Sequence, residues 1–276
     1  MSAPFPVRLH VLLASEAPVG VVLRRGPANA VCSVLWDRKK DTFEIGQWLR
    51  ARIYERRADL SPDGRHLIYF AMNGRWTSEA RGSWTAISRA PWLKAAVLLG
   101  KGDCWQGGGL FTSNSRYWLN GGDCHVVLQD SDEVERDRKF RPTAWYGGEC
   151  PSVYYLRLQR DGWILKDRLD AGISDVFTVF EKPLPNGRVL RKYAHGEVNP
   201  GPGKACHLDE HEIEHAELAR RITFPNWEWA DLDGETLVWA EDGCLHRAPV
   251  LATEIGEACV LFDFNGMKFE RRIAPY

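Results

Sequence analysis

Residues 58–71 read Ala58-Asp-Leu-Ser-Pro-Asp-Gly-Arg-His-Leu-Ile-Tyr-Phe-Ala71, with a polar turn between two short apolar segments. Pro62 presets the backbone φ at the second position of a tight turn, and Gly64 releases the chain into the next segment. The run after the turn, residues 67–71, has the aromatic and β-branched residues that favour a strand. The stretch therefore predicts a strand, a tight turn and a second strand.

The same pattern returns later in the chain with a shorter turn. Residues 230–240 read Ala230-Asp-Leu-Asp-Gly-Glu-Thr-Leu-Val-Trp-Ala240. A further strand is predicted after each copy, through Trp84 in the first case and Leu245 in the second. The sequence thus contains two related strand-turn-strand segments.

The composition of the 276 residues also favours strands. Twelve Trp stand beside 25 Gly and 15 Pro, whereas there are only three Met. Flat rings pack well on pleated surfaces and Gly and Pro form tight turns, so this mixture is typical of many short strands. We count about twenty candidate strands between turn signals. One of them, Val153–Leu158, is predicted to form a hairpin that turns at Asp161-Gly162.

A single segment has helical spacing. Apolar residues recur at intervals of three within 209–222, Asp209 is a suitable N-cap, and Pro225 follows the last turn. The spacing predicts a helix over 209–222, inside a helical and loop insertion at about residues 196–222. A domain break near residue 150 is the alternative, but strand character is the same on both sides of it, so we expect one domain over 1–276.

The first copy of the repeat resembles the blade repeat of TolB-like β-propellers, which carry a Ser-Pro-Asp-Gly turn before an apolar strand. Leu35-Trp36-Asp37, followed by Phe43 and Gly46, is similar to the outer hairpin of a WD-repeat blade. The resemblance covers mainly residues 33–100. It implies an all-β, propeller-like array of four-stranded antiparallel blades, about five on the strand count, with six blades or a pair of sandwiches as alternatives. It implies a scaffold and no catalytic residue.

Charge and cysteine content indicate which partners and which cellular compartment to expect. Lys and Arg number 36 against 37 Asp and Glu, so no net field attracts nucleic acid or anionic lipid. The seven Cys form no C-x-x-C pair, which favours reduced thiols and a cytoplasmic protein. No window approaches the run of about 18 apolar residues that identifies a membrane span. We therefore expect no nucleic-acid or membrane partner.

Glycines and tryptophans form the first candidate site. Gly107, Gly108 and Gly109 follow Trp105, and further Gly-Gly pairs lie near Trp118 and Trp145. Such segments are typical of an aromatic-rimmed pocket for a carbohydrate or a cationic ligand. The alternative is that the rings belong to the core and that the glycines allow close packing.

Histidines form the second candidate site. His207, His211 and His215 are spaced by four residues. On a helix, imidazoles at this spacing share one face and can bind a divalent metal such as zinc. The alternative is a polar, solvated helix face without a metal.

No G-x-S-x-G elbow and no other local nucleophile motif occurs. We therefore expect a non-enzymatic binding or protein-interaction module with a protein partner and no cofactor. The alternative is an enzyme on the same scaffold, either a metal-dependent hydrolase or a carbohydrate-active protein. The charged run 130–139 is predicted to be an exposed loop or a loop that docks a partner.

Overall fold

The computed structural model describes residues 7–26, 30–147, 149–170, 175–185, 187–197, 206–215, 220–251 and 254–276. Strands account for 52% of the residues and helices for 7%, which confirms the all-β prediction. The sheets have four to six strands apart from one sheet of three, and one short α-helix accompanies them.

Two compact units make up the structure. The smaller unit comprises Met1–His10 and Gly162–Met267, and the larger unit comprises Val11–Asp161 and Lys268–Tyr276. The prediction of a single domain stays a prediction, because compactness alone does not define an independently folding domain.

Residues 8–136 form three sheets. The first has the order β1-β2-β3-β4, the second β12-β9-β8-β7-β5 with β6 also on β7, and the third β10-β11-β13. In the third sheet β13 runs parallel to β11, whereas β10 is antiparallel to it. The strand bounds are β1 (Arg8–Leu13), β2 (Val19–Arg25), β3 (Val31–Asp37), β4 (Thr42–Leu49), β5 (Arg52–Ile53), β6 (Asp59–Leu60), β7 (His66–Met72), β8 (Ser83–Arg89), β9 (Ala95–Gly100), β10 (Gly109–Phe111), β11 (Arg116–Leu119), β12 (Val126–Gln129) and β13 (Glu135–Arg136).

The quoted turn forms as its residues predict. The Ser61 hydroxyl donates to the Asp63 carboxylate at 2.6 Å and accepts the amide N–H of His66 at 2.9 Å. Gly64 has a φ of +76°, and its N–H donates to the carbonyl of Ser61. The turn joins β6 to β7, which pair antiparallel.

The helix lies where a strand was predicted. Residues Pro151–Arg160 form α1, so the prediction of a strand over Val153–Leu158 is wrong. Residues 152–158 are all buried, which means that the apolar run carries no helical periodicity that would distinguish it from a buried strand. Pro151 is in the first turn, where a missing N–H has no cost.

A buried carboxylate attaches α1 to the sheets. Arg160, the last residue of α1, donates two hydrogen bonds to Asp59, at 2.6 and 2.8 Å. Asp59 is 1% exposed and also accepts the backbone N–H of Phe111 at 2.7 Å. The aspartate of the quoted stretch therefore joins β6, β10 and α1.

The last nine residues return to the larger unit. The side-chain amide of Gln47 donates to the carbonyl of Arg272 at 3.0 Å. The hydroxyl of Tyr276 donates to the carbonyl of Lys94 at 2.5 Å and accepts the N–H of Arg89 at 3.0 Å. These contacts connect residues about 180 to 225 positions apart in sequence.

The smaller unit contains two antiparallel sheets in which sequence neighbours pair. Their orders are β14-β15-β16-β17-β18 and β19-β20-β21-β22. The strand bounds are β14 (Ile164–Asp170), β15 (Asp175–Leu184), β16 (Arg188–Glu197), β17 (His207–His215), β18 (Arg220–Phe224), β19 (Trp229–Asp233), β20 (Thr236–Glu241), β21 (Cys244–Pro249) and β22 (Cys259–Asp263).

The predicted helix over 209–222 is wrong. Its described residues belong to β17 and β18, and Ile213 and Ile222, taken as one helical face, lie opposite each other across this pair. Directly opposed residues of an antiparallel pair share a face, so the register of β17 and β18 brings these two isoleucines together without a helix. Within the predicted insertion 196–222, the parts 198–205 and 216–219 lie outside the described residues.

The second copy of the repeat uses its aspartate as the first copy does. Asp231 accepts hydrogen bonds from the ammonium group of Lys182 at 2.5 Å and from the indole N–H of Trp163 at 3.2 Å. In each copy the aspartate after the alanine pairs with a cationic side chain from an element distant in sequence, Arg160 in the first case and Lys182 in the second. The repeat thus has a structural role in both units.

We expect Asp59→Asn to lower the free energy of unfolding by about 3 kcal/mol, because Arg160 then loses its bidentate carboxylate and keeps only Asp161, at 2.9 Å, as an anionic partner. Chemical denaturation of D59N, R160M and the double variant measures the coupling. The double variant should lose clearly less than the sum of the two single losses, and strictly additive losses would contradict the role of this ion pair.

Candidate functional site

The larger unit contains a cleft of about 550 Å³. Strand β11 contributes its floor, and the charged run 130–139 contributes much of its wall. The lining residues are Leu99, Arg116, Tyr117, Leu119, Gly122, His125, Val127, Asp130, Ser131, Asp132, Val134, Glu135, Arg136, Asp137, Arg138 and Lys139.

Two alternate residues of β11 form the buried floor of the cleft. Tyr117 and Leu119 are buried and line it, whereas Trp118 lies between them in sequence and points to the other face of the strand. The ring of Trp118 packs against Phe140, with ring centroids 5.8 Å apart. Burial raises the pKa of the Tyr117 hydroxyl, so this phenol stays protonated in the cleft floor.

A histidine connects the cleft to the glycine segment. His125 Nδ1 lies 3.1 Å from the carbonyl oxygen of Gly121, and its Nε2 lies 3.1 Å from the hydroxyl of Thr85. A carbonyl only accepts, so Nδ1 carries the proton and Nε2 accepts from Thr85. The Thr85 hydroxyl in turn accepts the N–H of Gly108 at 2.8 Å.

The electrostatics of His125 agree with this neutral tautomer. Burial lowers the pKa of His125 to about 4, and the nearby cations Lys101 and Arg136 act in the same direction, while the hydrogen bond to Gly121 opposes them. With both ring nitrogens hydrogen-bonded, the neutral imidazole joins Gly121 to Thr85 of β8 beside the cleft.

Ion pairs and turns hold the charged wall. Arg116 pairs with Glu135 at 2.9 Å across the parallel strands β11 and β13. Asp137 accepts the Thr112 hydroxyl at 2.9 Å and the N–H groups of Lys139 and Phe140. Of these hydrogen bonds, the one from Thr112 contributes most to lowering the pKa of Asp137. The predicted loop therefore includes a strand and has a defined conformation.

The structure explains the three predicted site glycines by packing. A Cβ atom on Gly107 would collide with the ring of Phe70, on Gly108 with the carbonyl oxygen of Arg57, and on Gly109 with the carbonyl oxygen of Trp118. None of the three lines the cleft. This outcome agrees with the close-packing alternative, and their role in ligand binding stays a prediction.

The guanidinium of a buried arginine lies in the bend before these glycines. The buried guanidinium of Arg57 donates to the carbonyl oxygen of Cys104 at 2.8 Å and to that of Gln106. The glycine segment therefore directs backbone acceptors at an internal cation.

The three tryptophans of the predicted site differ in their exposure to solvent. Trp105 is 59% exposed and Trp145 is 79% exposed, while Trp118 is half-buried against Phe140. None of the three lines the cleft, although the neighbours of Trp118 on β11 do. Their role as a ligand rim stays a prediction.

The helical geometry behind the predicted metal site is wrong. His207, His211 and His215 lie on strand β17, where residues four positions apart are about 13 Å apart. The ring of His211 is buried, and its Nδ1 is 3.0 Å from the carbonyl oxygen of Trp227. No group of three or more His, Cys, Asp or Glu that could hold a metal occurs in the part of the chain that the structure describes.

Sequence reasoning did not single out His125 or Thr85. They are 40 residues apart, and their contact arises only when β8 and the turn before β12 meet. The one local signal is the Gly121-Gly122 pair, since Gly121 has a φ of +69° and its carbonyl oxygen faces the histidine.

No protein-family model matches the chain, and no curated protein matches it either. Among the described residues, no helix has the length and apolar character needed to cross a bilayer.

We expect Gly108→Ala to destabilise the protein far more than Gly74→Ala. Both glycines have a φ of +70°, but a Cβ atom meets nothing within 4 Å at Gly74 and the Arg57 carbonyl at Gly108. G74A should lose about 1 kcal/mol from backbone strain, and G108A about 3 kcal/mol. Equal losses in urea denaturation would show that the glycine segment is not closely packed.

We expect His125 to make stability depend on pH. Its pKa in the folded state, about 4, lies below the ordinary 6.5, so the unfolded chain binds a proton first as the pH falls. The stabilising contribution is full above pH 6.5 and is lost toward pH 4. The loss is on the order of 2 kcal/mol after discounting for solvent access.

Denaturation of wild type and His125→Gln over this range measures the effect. The stability advantage of the wild type over H125Q should shrink as the pH falls. Thr85→Ser keeps the hydroxyl and should retain the wild-type profile. Parallel profiles for wild type and H125Q would contradict a neutral, buried imidazole.

Proposed function

We propose that this protein is a non-enzymatic protein-interaction module and that the cleft of the larger unit receives an extended segment of a protein partner. The observation that carries the proposal is the composition of the cleft wall. Four basic side chains (Arg116, Arg136, Arg138 and Lys139) and four acidic ones (Asp130, Asp132, Glu135 and Asp137) line one cavity of about 550 Å³.

The wall is suited to a partner segment that carries both signs of charge. Asp132, Arg138 and Lys139 are exposed, so their charges are accessible to a partner. Balanced charges do not attract a polyanion, which argues against nucleic acid as the occupant. Opposite charges across an interface mainly confer orientation and specificity.

An adjacent strand edge supports a protein as the occupant. β12 is the terminal strand of its sheet, and among the described strands it pairs only with β9. It exposes two neighbouring apolar residues, Val126 at 46% and Val127 at 61%, and Val127 also lines the cleft. An unpaired edge beside a groove is the arrangement to which an extended peptide adds as a further strand.

The titratable groups of the cleft floor support binding over catalysis. Burial lowers the pKa of His125 to about 4 and raises the pKa of Tyr117. Neither group has the features of a nucleophile or of a proton carrier near neutral pH. The proposed binding requires no cofactor.

We further propose a propeller-like scaffold and a cytoplasmic location. Sheets in which consecutive strands pair, such as β14 to β18 and β19 to β22, have the connectivity of propeller blades and support the first point. The seven cysteines are all free thiols, which supports the second.

Charge reversal at the cleft tests the proposal. A tagged protein is purified from the native host as wild type, as R138E/K139E and as K39E/K40E. The control pair is also two adjacent exposed cations, in the turn after β3. We expect a protein partner at equal stoichiometry with wild type and K39E/K40E, reduced at least tenfold with R138E/K139E.

Circular dichroism and size-exclusion chromatography establish that each variant is folded. A partner that binds R138E/K139E as well as wild type would show that the cleft is not the interface. The absence of any stoichiometric partner from the wild type would contradict an interaction module.

A further inference from the structure

A second cavity lies in the smaller unit, beside the end of strands β16, β17 and β18. Its volume is about 260 Å³, the size for a small organic molecule. Four apolar side chains form most of its lining, together with three basic residues and one acidic residue. The lining residues are Arg188, Ile213, His215, Arg220, Ile222, Phe224, Glu254 and Ile255.

The three basic residues form one row across the sheet. Arg188 on β16 lies directly opposite His215 on β17, and His215 lies directly opposite Arg220 on β18. Directly opposed residues of antiparallel strands share a face, so the three side chains project together. Two arginines flanking an imidazole repel each other unless an anion lies among them.

On the opposite face of the same strands, the arginines form ion pairs with carboxylates. Arg191 pairs with Glu181, Glu212 and Glu214, at 2.7, 2.6 and 2.6 Å. Arg221 pairs with Glu212 at 3.2 Å and with Glu214 at 3.5 Å. Each arginine on that face therefore has at least two carboxylate partners within the chain.

Arg188 has none of these partners. It is 4% exposed, and both terminal nitrogens of its guanidinium are buried without a hydrogen-bond acceptor among the described residues. His215 is 9% exposed, and its Nδ1 is likewise buried without a hydrogen-bond partner among the described residues. Glu254, at the cavity, is exposed and forms no ion pair with the three bases in the described part of the chain. An unpaired buried guanidinium costs several kcal/mol on general grounds.

We propose that this cavity is a binding site for a small organic carboxylate, in which Arg188 binds the carboxylate and the apolar residues contact the rest of the ligand. The two free terminal nitrogens of Arg188 form a planar fork that matches the two oxygens of a carboxylate. His215 Nδ1, when it carries the ring proton, adds a third donor. Arg220, exposed at the end of the row, supplies a further positive charge.

The apolar lining distinguishes an organic carboxylate from an inorganic anion. Ile213 and Ile222 are directly opposite each other across β17 and β18, two residues along the strands from the basic row and therefore on the same face. Phe224 and Ile255 complete the apolar part of the lining. A fully hydrated anion such as phosphate gains nothing from these side chains, whereas a ring or a short alkyl chain is desolvated against them.

Isothermal titration calorimetry with benzoate, hexanoate and inorganic phosphate tests the assignment on the full chain. We expect one carboxylate per chain, with at least tenfold weaker binding of phosphate and of the neutral analogue benzamide. Arg188→Met should weaken carboxylate binding at least tenfold. Lys166→Gln removes one positive charge from the same sheet at a half-exposed pair with Glu181 and should bind as wild type does.

The fold of R188M is checked independently, by thermal unfolding without ligand. Methionine removes a buried, unpaired charge, so the variant should be at least as stable as the wild type. Benzoate should then raise the Tm of wild type and K166Q and leave that of R188M unchanged. Three results would overturn the proposal: no binding of either carboxylate, equal binding by a folded R188M, or phosphate binding as tight as benzoate binding.

Discussion

The ion pair between Asp59 and Arg160 is the interaction on which the larger unit depends. A carboxylate that is 1% exposed is tolerated because a bidentate guanidinium and the N–H of Phe111 satisfy its oxygens. The pair attaches α1 to β6 and β10, and β10 is the first strand of the sheet that forms the cleft floor. The position of the cleft therefore depends on a residue in the repeated stretch, and Asp231 has the corresponding role in the smaller unit.

The sequence predicted the strands better than the helix, for a physical reason. The Ser61-Pro62-Asp63-Gly64 turn depends on local chemistry, so its residues suffice to predict it. Helix α1 and strand β17 were each assigned the opposite structure. Burial on all sides hides the helical period of α1, and Ile213 and Ile222, spaced as on one helical face, are instead partners across β17 and β18. Tertiary pairing, which local spacing does not contain, decides both cases.

The candidate sites show the same limit. The packing role of Gly107 to Gly109 was one of two alternatives that the sequence left open, and the structure supplies the atoms that require each glycine. The contact of His125 with Thr85 and the row formed by Arg188, His215 and Arg220 join distant parts of the chain. Strand pairing and tertiary contact bring these residues together, so no single sequence motif predicts them.

The return of residues 268–276 to the larger unit has a consequence for biosynthesis. These residues emerge from the ribosome only after the whole of Gly162–Met267, whose two sheets pair neighbouring strands and need only local contacts. The smaller unit can therefore acquire its sheets during translation before Arg272 and Tyr276 contact the larger unit. Until residues 268–276 are synthesised, the groups of Gln47 and Lys94 that bind them lack these partners.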